Sequence, residues 1–435
     1  MTVSNQTVQA VDTEIERLEE SMIQFLSTLV EKRTVTGNER AGQEVMANKF
    51  ESLGAAVDRW EPNPERLRGH SGYFETSTFE EVGYGGRPNV GARLDGVGEG
   101  NSLGLSGHID VVSVTEREWD SDPWTLVRDD DRLIGRGSCD MKGGIAAYVT
   151  AVEALQAANV DLEGDLVLQS TIEEEAGGVG GVLSALERGY RPDAAVIPEP
   201  LDIPHIGTAS AGVMYFRITV PGRTAHAGRA YAGVNALDKA VLLLQSLNDL
   251  DETRKGRIDY PRAYRADRRL EGHVTNLNIG VIDGGEWPST VPGEVTLEGR
   301  IGWPPGETRE QVRKEIRRTI SNVATRDEWL AEHPPELSWF GWQAEPHEVP
   351  LDSRIARVSK TAAEDVTGNE GQFVGGHAGM DERFYKNYYD INAVSVGPYG
   401  ENLHGPNEHT TVTSLTDTAK TLARIIMYYC GVASD

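Results

Sequence analysis

Five short stretches of this 435-residue chain combine residue types that hold metal ions and move protons. In Ser106-Gly107-His108-Ile109-Asp110-Val111-Val112 the two-residue period of a strand would put His108 and Asp110 on one face. A carboxylate there can fix the tautomer of the imidazole and raise its basicity as a metal ligand; a hydrogen-bonded core histidine at a strand end gives the same pattern. Gly135-Arg136-Gly137-Ser138-Cys139-Asp140-Met141-Lys142-Gly143-Gly144 is a glycine-rich turn into a helix, able to present Asp140 at the rim of a sheet. It also reads as an Asp helix cap or a phosphate loop, although the Gly-Lys-Ser/Thr ending of the latter is missing. Glu173-Glu174-Glu175 closes an apolar strand, where three carboxylates are costly unless a cation sits among them or they form a solvated face. Pro198-Glu199-Pro200 fixes a further acid after the next strand, and Asn402-Leu403-His404-Gly405-Pro406-Asn407-Glu408 adds a histidine in a loop. Together they offer a His, Asp, Glu, Glu, His set at strand ends, which is the make-up of a two-metal site. Such mixed ligands suit zinc, with cobalt or manganese as substitutes, and five ligands for two ions leave positions open for water.

The elements that must position these groups follow from periodicity. Helix-like patterns at about 11–32, 143–155 and 182–188 alternate with strand-like ones at 103–112, 166–172 and 194–197, predicting an α/β domain with a mainly parallel sheet. After Ser210 the order changes to strand (213–220), helix (234–248), strand (273–282), strand (291–301), helix (309–324), strand (336–340), a βαββαβ unit. The α/β pattern then resumes with a helix at 353–366, a strand at 391–396 and a helix at 415–429. We therefore expect a discontinuous catalytic domain, 1–210 and 344–435, interrupted by an inserted domain, 211–343. The charged stretch Asp251 to Asp267 reads as a surface loop.

In this order the stretches resemble the family of dinuclear zinc amidohydrolases that contains acetylornithine deacetylase, succinyl-diaminopimelate desuccinylase, aminoacylase and glutamate carboxypeptidase. The match adds Trp119-x-x-Asp-Pro-Trp124, Gly222-Arg-Thr-Ala-His226-Ala-Gly and the strand carrying Arg300, and covers nearly the whole chain. The resemblance implies that His108 and Glu199 bind one zinc ion, that Glu175 and His404 bind the other, and that Asp140 bridges both. It implies that Glu174 is the general base and that Asp110 orients His108. It further implies a ferredoxin-like inserted lid that forms a homodimer, with His226 reaching the partner subunit's site to stabilise the oxyanion. Arg300 would grip the substrate carboxylate, with Asn276, Gly375 and Gly376 as further substrate contacts. Two places depart from the family pattern. Pro288-Ser289-Thr290-Val291-Pro292 lacks an Asn that many members have, and His377-Ala378-Gly379-Met380-Asp381 is longer than the usual loop, leaving His377 as either a substrate contact or a surface or packing residue. The activity implied is removal of an acyl group from an N-acyl amino acid, first of all N-acetylornithine as in arginine biosynthesis. Desuccinylation and dipeptidase or carboxypeptidase action are alternatives, and a noncatalytic metal-binding scaffold is the reading from a different class.

Composition narrows the partners. With 42 Lys+Arg against 68 Asp+Glu the formal net charge is −26, which repels nucleic acid and anionic membranes. Only nine of the 42 bases are lysine, and an acidic, lysine-poor chain resembles halophilic proteins, whose self-repulsion salt screens. No stretch has the roughly 18 apolar residues of a membrane span. The first twenty residues show no secretory signal and the two cysteines, Cys139 and Cys430, no disulfide framework, so the expected location is cytoplasmic.

Overall fold

The computed structural model describes residues 3–433; the four terminal residues of the expected catalytic segments lie outside them. Its nine-stranded sheet runs, edge to edge, Ala56–Trp60, Asn89–Leu94, Leu166–Thr171, Leu103–His108, Ala194–Ile197, Asn392–Ser395, Ile206–Ser210, His347–Glu348, with Phe373–Gly375 also beside Ile206–Ser210. The four strands from Leu166–Thr171 to Asn392–Ser395 are parallel and the outer pairings are mostly antiparallel. The fold is thus α/β with a parallel centre. Both faces of that centre are covered: Leu166 and Leu168 enter the main core, while Val167 between them packs with Trp60, Ala185 and Tyr190. The helix Lys142–Ala157 is buried along nearly its whole length because Asn5–Glu31 and Val412–Cys430 pack over it.

Segment 212–344 has the expected strand and helix order and forms a second sheet, antiparallel, in the order Asn276–Gly284, Glu294–Trp303, Gly212–Pro221, Glu336–Ala344. Helices Ala236–Arg257 and Arg309–Ala324 supply its own core with Leu243, Leu247, Val312 and Ile316 against Phe216, Ile218 and Leu297. A third, small sheet that periodicity did not predict joins Gly400–Glu401, His409–Thr411, Arg132–Ile134 and Val127–Asp129.

Three expectations change. The strand at 103–112 ends at His108, because the chain turns there and Val111 pairs instead with Val35. The helix at 182–188 is α-helical only over Ser184–Arg188 and follows a wider π turn, Val179–Leu183. The supposed loop 251–267 begins as the last two turns of helix Ala236–Arg257. Two of its charges are paired rather than solvated, while Glu252, Asp259 and Arg265 stay exposed: Arg254 is fully buried against Glu307 and Glu315, and Asp251 accepts the Leu277 N–H at 2.7 Å.

Candidate metal centre

The carboxyl ends of three parallel strands carry His108, Glu199 and the Glu174–Glu175 pair, the place where α/β sheets build their sites, whereas Asp140 and His404 come from loops that follow strands of the small antiparallel sheet. His108 is the last residue of its strand, and Glu199 follows Ala194–Ile197. Glu174 and Glu175 lie in the single turn Glu174–Ala176 after Leu166–Thr171. That turn is set by Glu173, which adopts φ +67°, a left-handed conformation unusual for a residue with a side chain. The buried Glu173 carboxylate accepts bonds from Thr76 Oγ1 at 2.5 Å, Gly180 N at 2.8 Å and Tyr84 Oη at 3.0 Å, and burial pushes its pKa up to about 7.

His108 Nε2 lies 3.3 Å from Asp140 Oδ1 and 3.6 Å from Glu199 Oε1. His404 Nε2 lies 3.3 Å from Asp140 Oδ2 and 3.0 Å from Glu175 Oε2. Two groups of three potential ligands therefore share Asp140, one carboxylate oxygen facing each histidine. These residues fit a pair of cations. His108 Nε2 is buried without a hydrogen-bond partner, and no lysine or arginine among the described residues pairs with Asp140, Glu174, Glu175 or Glu199. Burial pushes the Glu199 and Glu174 carboxyls well above their ordinary range, and the neighbouring acids add to it. Asp140 goes the other way: burial opposes ionisation, but His108 and His404 more than offset it.

Asp110 acts differently from the expectation of a carboxylate behind the imidazole. Because the strand has ended, it is the Asp110 carbonyl that lies 3.0 Å from His108 Nδ1, with the carboxylate at 3.6 Å. An Nδ1–H donated to that carbonyl leaves the Nε2 lone pair facing Asp140 and Glu199. The carboxylate instead accepts from the main-chain N–H of Glu174 at 3.1 Å, that of Glu175 at 3.3 Å, and Thr36 Oγ1 at 2.9 Å. One residue thus holds a histidine ligand and the turn bearing both glutamates. Among the described residues Glu174 is the acid of this turn with no ion-pair partner and no place in either metal group.

A cavity of about 440 Å³ opens over the centre, walled by Tyr215, Trp342, Arg300, Met380 and Leu403 among others. Arg300 is half-buried, and its Nη1 donates to Asn276 Oδ1. Asn276, expected as a substrate contact, is not in the cavity wall and meets it through this bond to Arg300. Gly375 and Gly376 are in the wall with φ of +114° and +94°; a Cβ on Gly375 would come within 2.2 Å of Ala209 O. His377, which sequence left between substrate contact and surface, lines the cavity with an unpartnered buried Nδ1. His226 is elsewhere: it caps the turn Ala227–Ala232, is exposed, and is not in the cavity wall.

A family model described as peptidase family M20/M25/M40 matches residues 104–428, which span every group just placed. The chain belongs to that family. Like other M20 proteins it is a metal-binding hydrolase of amide bonds. It is 26% identical, over 98% of its length and 99% of the relative's, to N-formyl-4-amino-5-aminomethyl-2-methylpyrimidine deformylase of Bacillus subtilis. It is 29% identical to succinyl-diaminopimelate desuccinylase of Gluconacetobacter diazotrophicus, over 75% of this chain and 80% of that one. Among solved structures, the YXEP protein of Bacillus subtilis, a dinuclear metal binding peptidase of the M20 family, superposes with a TM-score of 0.64 at 16% identity, over 95% of this chain and 99% of that one.

Residues without a motif also stand at the centre: Tyr215 and Trp342 in the cavity wall, and Glu408 behind Asp140. Tyr215 and Trp342 sit on strands of the second sheet with no local signal beyond an aromatic in an alternating run. Glu408 was visible in the quoted Asn-Glu pair but had no evident partner. One consequence concerns pH. Asp140 and Glu175 beside His404 raise its pKa to about 10, so in the metal-free chain the imidazole holds its proton at pH 7. A metal takes only the neutral ring, so zinc added at pH 7 should release protons, and affinity should climb as pH rises towards 10. A pH-stat titration that records uptake of zinc without proton release would contradict this arrangement.

Proposed function

We propose that the chain hydrolyses the amide bond of a small N-acyl amino acid, with His108 and Glu199 at one divalent ion, Glu175 and His404 at a second, and Asp140 between them. The observation that carries this reading is the pair of ligand groups sharing Asp140, next to an unpaired Glu174, under a cavity that contains Arg300. Two bound cations, zinc by the ligand types, with cobalt or manganese as substitutes, supply the charge that acidifies a water and polarises the acyl carbonyl. Glu174 takes the proton of the attacking water and returns it to the departing nitrogen. Arg300, steadied by Asn276, grips the substrate carboxylate. Trp342 and Tyr215 shield the reacting bond from bulk water.

The inserted segment 211–343 is the lid and the homodimer surface in this reading. Tyr231 is 86% and Trp287 69% exposed, and Val281 and Ile282 on the edge strand Asn276–Gly284 are exposed as well. A second copy covering this patch would bury His226, which its own cavity does not include, and present it to the partner's site as an oxyanion donor. Two buried free cysteines fit a reducing, cytoplasmic location.

The cavity's acids are Asp140, Glu174, Glu175 and Glu199, all committed to the centre, so none is left for the side-chain ammonium of N-acetylornithine. We therefore favour a substrate with a carboxylate and an uncharged side chain. A second reading, a formamide on a heteroaromatic methylamine, draws on the full-length similarity to the Bacillus subtilis deformylase and on the aromatic walls. The deciding experiment is a hydrolysis panel of N-formyl-, N-acetyl-, N-succinyl- and N-carbamoyl-amino acids, dipeptides and the formylated aminomethylpyrimidine. It is run in molar KCl, because a formal charge of −26 and nine lysines point to a high-salt protein. Arg300→Ala should raise KM for the preferred N-acyl amino acid by roughly 10–100-fold, the loss of a charge-assisted bond. An unchanged KM removes Arg300 from recognition and turns the assignment to the formamide.

A further inference from the structure

Glu408 is fully buried in the small sheet region, and its carboxylate is saturated by donors from a segment about 270 positions earlier in the chain. Oε1 accepts the N–H of Cys139 at 3.0 Å and of Asp140 at 2.9 Å; Oε2 accepts the N–H of Gly137 at 3.0 Å and Arg136 Nη1 at 2.5 Å. The same guanidinium reaches back through Nη2 to the His404 carbonyl at 3.1 Å and lies 5.3 Å over the Trp119 ring. Asn407 repeats the connection: its amide donates to Asp120 Oδ2 at 2.8 Å and accepts the Asp120 N–H at 3.0 Å.

The two metal positions differ in how much they need such a tie. His108 is buried at the end of a sheet strand with its Nδ1 anchored to the Asp110 carbonyl. His404 is 54% exposed, stands at φ +60° in a loop between strands of two and three residues, and lies opposite a turn from a distant part of the chain. Resting on the two-metal reading above, we infer that Glu408 and Arg136 are positioning residues forming a latch that sets the affinity of the Asp140–Glu175–His404 position more than that of the His108 position, because it holds both Asp140 and His404 in the first and only the shared Asp140 in the second. The forked guanidinium suits this task because it bonds a carboxylate and a carbonyl at once, which an ammonium point charge does not.

The test is titration of the metal-free full-length chain with Zn²⁺ by calorimetry, alongside its melting temperature. Wild type should take two equivalents. Glu408→Gln, which sets an amide group against N–H donors, should keep one equivalent and weaken the other about 10–100-fold, the usual effect of losing a support behind a metal ligand. Arg136→Lys should move the same site by less, and it serves alone should Glu408→Gln fail to fold. Site assignment comes from backgrounds: Glu408→Gln should cost that full factor in a His108→Ala chain and a clearly smaller one in a His404→Ala chain, where only Asp140 is still held by the latch. Equal weakening of both positions with a lower melting temperature makes the pair merely structural and overturns the latch, as does no weakening at all. A wild-type chain that takes fewer than two equivalents overturns the two-metal reading, and the latch with it.

Discussion

Glu174→Gln should yield a folded protein that still binds both metals yet turns over about 10²–10⁴-fold more slowly, the range that positioned proton transfer contributes. Both metal groups leave Glu174 out, so the substitution removes no ligand. It also keeps the shape of a side chain that is almost wholly buried, so the Glu174–Ala176 turn and its two N–H bonds to Asp110 should persist. What disappears is a carboxylate that can accept a proton. Burial, then the charges of Asp381, Glu199 and Glu175, hold its pKa above the ordinary carboxylate range, which suits a group that must take a proton from water and give it up again. Bound cations push in the opposite direction, and this is why Glu174 has to stand clear of them. The measurement is steady-state turnover alongside metal content. A metal-replete Glu174→Gln protein with near-native turnover removes Glu174 from the mechanism.

The groups that the fold brings together were legible because each stands in a short stretch where glycines, prolines or repeated acids make the type and spacing conspicuous: His108, Asp140, the glutamate run, Glu199 and His404. What holds them was not. The alternation argument put the Asp110 carboxylate behind His108, but a strand's period applies only while the strand lasts, and this one stops at His108. The run from Asp251 looked like a solvated loop because charge usually means solvent; here Arg254 is neutralised by Glu307 and Glu315, which follow it by 53 and 61 positions. Glu408 shows the same difficulty over a longer span, since its donors are 268 to 272 positions away. Local pattern reveals which side chains face a centre, whereas the pairing that fixes them is a product of the fold. The βαββαβ order was readable for the opposite reason: each of its elements carries its own apolar periodicity, and its core closes on itself.

Mixing two inactive proteins should restore activity if His226 works across a dimer. His226 lies on the second sheet's side of the molecule, paired with Thr290, and its ring Nδ1 accepts the Gly228 N–H at 3.0 Å, leaving Nε2 as the outward donor. It is exposed and stands outside the wall of its own cavity, as a residue that serves a partner's site would. His226→Ala should therefore cost about 10²–10³ in rate, the value of one oxyanion donor, while Glu174→Gln is nearly inactive for a separate reason. After subunit exchange, half of the dimers should be mixed. In each of these, one site combines an intact Glu174 with a partner that carries His226, and the other site has lost both. With one working site in half of the dimers, the mixture should reach about a quarter of wild-type turnover. Two controls make the result decisive: mass spectrometry of the intact mixed dimer to prove exchange, and each parent assayed alone at the same total concentration. Turnover no higher than the parents' average, with exchange proven, places His226 in its own subunit or in a purely structural role.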